Sequence, residues 1–139
     1  KEYRRQRQMS IRDRKGTGKV ITTGDIAQLI STSTISNQSV IQTTVATTTQ
    51  TAVDTFATAT YRTAKYIVQI TQGSNYQVSE IMIIHNGTST TMSEYAMMNT
   101  GGVLGTFASD INGGNVRLLI TMSASTSSTI YMSRTAIAV

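Results

Sequence analysis

Apolar and polar positions alternate with a period of two through most of the chain beyond residue 53. Tyr66, Val68 and Ile70 fall on one side and Ile67, Gln69 and Thr71 on the other. Val78, Glu80, Met82 and Ile84 alternate in the same way with Ser79, Ile81, Ile83 and His85, and Val116, Leu118, Ile120 and Met122 with Arg117, Leu119 and Thr121. Successive side chains of a strand leave opposite faces of a pleated backbone, so this period predicts strands. Turn-forming clusters separate them: residues 72–75, Asn86-Gly87, Thr100-Gly101-Gly102, residues 112–115 and the Ser/Thr run 123–128. Asn86-Gly87 is the strongest of these as a hairpin signal. Six or seven strands at spacings of roughly 8–14 residues predict a mainly β fold, an antiparallel β-sandwich of jelly-roll-like type.

The pattern fades toward the N-terminus. Residues 32–52 are rich in Thr and Ser, nearly uncharged, and read either as a linker or as a first strand. The strand is the better reading, because Val40, Ile41 and Val45 sit among β-branched neighbours and the Gly and Pro of linkers are missing. Before them lies one short helical signal. Thr23 or Gly24 can cap it, and Ile26, Leu29 and Ile30 recur at helical spacing as a docking stripe. The expected division is therefore 1–31 as an extended basic arm with one short helix, 32–52 as an extended segment or first strand, and 53–139 as the sandwich.

Composition strengthens the β reading and sharpens the division. The 139 residues suit one domain. They include 25 Thr and 15 Ser and no Pro, so β-branched residues are abundant and no strand is interrupted by an imino acid. The net charge of +5 is confined to one end. Lys1, Arg4, Arg5, Arg7, Arg12, Arg14, Lys15 and Lys19 stand against Glu2 and Asp13, whereas the remaining residues carry four cations and five carboxylates. A basic arm beside a nearly neutral body suggests a tethered module. The arm, expected to be disordered on its own, could dock on acidic grooves of other proteins, contact nucleic acid phosphates, or stay solvated. No apolar run is long enough to span a bilayer as a helix, and no membrane partner is expected.

Candidate chemistry is sparse. Without cysteine there is no disulfide, thiolate metal site or cysteine nucleophile. The single histidine, His85, excludes a His-pair metal site and reads as structural or solvated. Glu80 and Glu94 lie on either side of the Asn86-Gly87 turn, and a hairpin closed at that turn would set residue 80 opposite roughly 93. A carboxylate pair can hydrolyse glycosides, but pairing with Lys65, Arg62, Arg117 or Arg134 is the simpler expectation. Gly16-Thr17-Gly18-Lys19 lacks the spacing and the following Ser/Thr of a phosphate loop. No catalytic, cofactor-binding or metal-binding residue is expected, and no enzyme. Tyr61, Tyr66, Tyr76 and Tyr95 are candidates for a sugar platform, with packing as the plainer role.

The strings Phe56-Ala57-Thr58-Ala59-Thr60-Tyr61-Arg62-Thr63-Ala64-Lys65-Tyr66, Gln77 to Thr88 and Ser93-Glu94-Tyr95 follow one another in order. They continue with Gly105-Thr106-Phe107 and Asp110-Ile111-Asn112-Gly113-Gly114-Asn115-Val116-Arg117. Together they resemble a β domain that recurs in virion structural proteins of T4-like tailed phages, the cyanophage type in particular. The resemblance runs from Val53 to Ile137 and leaves the arm outside. It implies a structural virion component of capsid, neck, tail, baseplate or fibre, located in the virion. The expected partners are other virion proteins and copies of the chain itself, a homotrimer first. A coat protein whose arm contacts packaged nucleic acid, or a glycan-binding adhesin tip, is the alternative.

Overall fold

A computed structural model describes residues 35–139. The basic residues of the arm and the stripe of Ile26, Leu29 and Ile30 lie outside the described residues, as does the short helix. Among the described residues eight strands are present: β1 (Ser36–Val45), β2 (Thr51–Ala57), β3 (Tyr61–Gln72), β4 (Asn75–His85), β5 (Thr90–Asn99), β6 (Gly105–Asn112), β7 (Asn115–Met122) and β8 (Ser128–Ala138). Within the stretch that could have been linker or strand, Ser36–Val45 is strand, paired with β8 along its whole length.

The strands form two antiparallel sheets, β1-β8-β3-β4-β5 and β2-β7-β6. The pairings β1–β8 and β2–β7 nest as in a jelly roll, whereas β3, β4 and β5 continue as a meander within the larger sheet. Turn chemistry explains the hairpins. Gly113 and Gly114 both have positive φ, 57° and 78°, the conformation that a two-residue turn between β6 and β7 demands and that L side chains resist.

The core lies between the sheets. Tyr66, Val68 and Ile70 of β3, Ile81 and Ile83 of β4 and Ile130 and Met132 of β8 meet Val53 and Phe56 of β2 and Val116, Leu118, Ile120 and Met122 of β7. Gly105 sits where the sheets approach closely: a Cβ there would lie 3.2 Å from the δ-methyls of both Ile70 and Ile120. The alternation read from the sequence thus corresponds to inward and outward positions, with register shifts in three pairings: β3 with β8 between Tyr61 and Thr63, β4 with β5 between Val78 and Glu80, and β2 with β7. A bulge between Ala52 and Asp54 adds an extra residue to β2 opposite β7, so that Val53 is buried in the core while Asp54 also reaches inward to groups on the larger sheet.

Candidate interaction surface

The polar groups carried inward are absorbed by internal bonds. Arg134 of β8, 8% exposed, donates from Nη1 to Asp54 Oδ2 at 2.6 Å and to the Thr55 carbonyl at 3.1 Å, and from Nη2 to the Ser39 hydroxyl at 3.1 Å. The Tyr66 hydroxyl donates to the same Asp54 oxygen at 2.9 Å. Burial first, and then the neighbouring carboxylate, push the Tyr66 phenol up from its ordinary value, which keeps it a donor. Arg134 Nε is buried without a hydrogen-bond partner, with the Phe56 ring 5.8 Å from the guanidinium carbon. This network ties four strands of two sheets together, β1, β3 and β8 of the larger and β2 of the smaller.

Two further inward groups fasten loops. Gln77 accepts at Oε1 from the Leu104 amide (2.7 Å) and the Gly105 amide (3.3 Å), and its Nε2 donates to the Gly105 carbonyl (2.9 Å). It pins the connection by which the chain crosses from β5 to the smaller sheet. His85 is buried, its Nδ1 accepting from the Gly87 amide at 3.0 Å while Nε2 lies 2.7 Å from the Tyr61 carbonyl. Those contacts fit a neutral ring with its hydrogen on Nε2. His85 is therefore structural.

Glu80 and Glu94 do not come together. The Asn86 side-chain oxygen accepts from the amides of Thr88 and Ser89, and the loop spans four residues between His85 and Thr90, two more than the dipeptide suggests. Glu80 is consequently opposite Tyr95, and Glu94 opposite Ile81, which places the carboxylates on opposite faces of the sheet. Glu80 pairs with Lys65 at 3.3 Å, one of the partners expected for it, and Glu94 accepts from the Ser79 hydroxyl at 2.6 Å. Hydrogen bonding to Tyr95, then to Lys65, holds Glu80 below the usual carboxylate range. Among the described residues no cluster of His, Asp or Glu could hold a metal ion.

The outward face of the larger sheet is different in kind. Register places Val40, Ile67, Glu80 and Tyr95 across its middle, with Tyr131, Val78 and Met98 to one side and Lys65, Met82, Ile84 and Ile137 to the other. Tyr76 lies at its end. Val40 is 91% exposed, and Ile67, Tyr76, Met82, Ile84, Tyr95, Met98, Tyr131 and Ile137 are each between 37% and 65% exposed. Lys65 and Glu80 are the only charged groups on the outward positions of these strands. A hollow of about 280 Å³ lies over the small Ser133, between Val40, Ile67, Gln69 and Tyr131. A second, of about 190 Å³, lies beside Tyr76, Val78 and Met98 and is smaller than the roughly 300 Å³ at which ligand pockets begin.

Of the four tyrosines considered as a sugar platform, Tyr66 is core and Tyr61 packs against the core, while Tyr76 and Tyr95 belong to this outward face. The face itself was not singled out from the sequence. Its signal was the run Ile81-Met82-Ile83-Ile84, which is apolar at both parities and so cannot hide all its side chains in one sheet interior.

No family model and no curated protein matches the chain. Among solved structures, it is similar to the tailspike protein of Acinetobacter baumannii phage AM24, with a TM-score of 0.49 and 8% identity over 75% of this chain and 26% of that one. It is also similar to the tailspike protein of Acinetobacter phage vB_ApiP_P1, with a TM-score of 0.40 and 20% identity over 75% of this chain and 22% of that one. The chain thus spans about a quarter of those proteins. At these levels of overlap and identity, neither likeness bears on what this chain does.

Proposed function

We propose that the chain is a non-enzymatic structural component of a tailed-phage virion, held to neighbouring virion proteins by its basic N-terminal segment. The observation that carries this reading is the contrast between the two parts of the charge. Eight cations crowd the first nineteen residues. The four cations among the described residues are engaged internally: Lys65 with Glu80, Arg117 with Asp110, Arg134 with Asp54, and Arg62 with the His85 carbonyl. The sandwich therefore offers no free basic face, and charge-driven attachment falls to the arm. Arg forks suit carboxylates in particular, because they pair with them bidentately. The in-order resemblance to a virion β domain supplies the setting.

Deleting residues 1–19 is expected to abolish incorporation into particles while leaving a soluble protein with the circular dichroism of a β fold. Normal incorporation of the truncated chain would remove the anchoring role. Tight binding of the intact protein to nucleic acid, steeply weakened between low and physiological salt, would favour the coat-protein reading instead.

A further inference from the structure

We propose that the outward face of the larger sheet is a contact surface between copies of this chain. Three observations carry it. The first is extent. The nine large apolar side chains on this face each leave on the order of 100 Å² uncovered, since a whole aromatic offers about 150–250 Å². Together they amount to roughly 900 Å² of uncovered side chain, interleaved in the register with Thr63, Gln69, Ser133 and Thr135. The sum matches the roughly 800 Å² that each partner gives to a standard interface.

The second observation is charge. Of the outward positions, only Lys65 and Glu80 are ionic, and they already pair with each other at 3.3 Å. A strongly acidic or basic partner would find nothing here to answer its charge. A second copy meets a face of zero net charge and is not repelled. The third is relief. Val40, the most exposed apolar side chain of the face, stands on the rim of the hollow over Ser133, so one surface presents a protrusion beside a recess. A surface that carries both can interlock with itself, as contacts between identical subunits require.

The contact stands apart from the virion reading: a chain that self-associates but never enters particles would refute that reading and leave this one intact. The test is sedimentation velocity on the full-length chain across a range of concentrations, with Ile67→Lys, Met82→Lys and Thr106→Lys beside the wild type. Thr106 lies on the smaller sheet and is exposed, so its variant adds the same charge elsewhere. Far-UV circular dichroism verifies that each variant is folded. The wild type and Thr106→Lys are expected to associate equally as concentration rises, and Ile67→Lys and Met82→Lys to weaken association by about tenfold or more. A wild type that stays monomeric at every concentration overturns the proposal, whether the chain's own first 34 residues or a different protein then covers the face. Equal association by all four proteins overturns it as well.

Discussion

The two faces of the five-stranded sheet both mix polar and apolar groups, but they use the minority of each kind differently. Its inward face carries Arg134, Gln77, Ser79 and His85 among the core side chains, each buried and each bonded to other parts of the chain. Its outward face carries a field of half-exposed Ile, Met, Tyr and Val around one ion pair. Burying a polar group is costly unless it is bonded, and bonding has geometric requirements that apolar contact lacks. The inward polar groups consequently fix which strands meet and in what register. Among the described residues the nine large apolar groups of the outward face are each more than a third exposed and constrain the register of the chain less. They carry a potential for burial that its own two sheets leave unused, and that difference separates the part of the molecule that specifies the fold from the part available for assembly.

The inward side is tested most severely at Arg134. Arg134→Met removes the cation but leaves the Asp54 carboxylate enclosed, and breaking a buried pair in this way costs about 3–5 kcal/mol. Urea denaturation should show that loss, and the double variant Arg134→Met, Asp54→Leu should recover much of it. Equal destabilisation in the single and double variants would mean that the network contributes by packing and not by charge pairing. Next in size is Gln77→Leu, which keeps the bulk but strips partners from the Leu104 and Gly105 amides. A loss of about 1–3 kcal/mol is expected. Faster amide exchange at Leu104 would locate it in the β5–β6 connection.

These two sites also mark where the sequence stops being legible. Alternation in residues 66–71, 78–85 and 116–122 revealed strands and the parity of their side chains, because a period of two is a local property. The alliance of Asp54 with Arg134 spans 80 residues and depends on a bulge at Val53 that no turn residue announces. Asn86-Gly87 marked the turn correctly but not its length. The Asn86 side chain caps a four-residue loop, and the resulting two-residue shift moves the partner of Glu80 from residue 93 to Tyr95, while Glu94 keeps the parity that sets it on the opposite face. The strand nature of Ser36–Val45 was readable from its β-branched residues, whereas its place at the edge of the larger sheet beside β8 required tertiary pairing. The outward apolar face was written in residues 81–84, yet its significance depends on which side the smaller sheet covers.

A smaller effect is expected at the surface pair of Asp110 and Arg117. The Arg117 guanidinium holds the Asp110 carboxyl below its ordinary value of 3.8. A carboxyl depressed in the folded state binds its proton more readily when unfolded. Its contribution is therefore present above the ordinary carboxylate range and is lost as pH falls through the lower, folded value. The urea midpoint of the wild type should decline on acidification below about pH 4, and more steeply than that of Asp110→Asn, which has no such proton to take up. The pair is exposed to solvent, so the difference should shrink in high salt.

The smallest effect separates the two faces most directly. Val40→Ser removes an apolar side chain that touches little of its own chain, and in dilute solution its unfolding midpoint should match the wild type within about 0.5 kcal/mol. If copies bind through this face, the wild type gains stability as concentration rises, because association favours the folded state by mass action. Val40→Ser should gain less. Thermal unfolding of both proteins at low and at hundredfold higher concentration distinguishes the cases. Parallel rises in the two proteins would assign the association to another surface, whereas a deficit confined to high concentration would place Val40 in the contact without giving it any part in the fold.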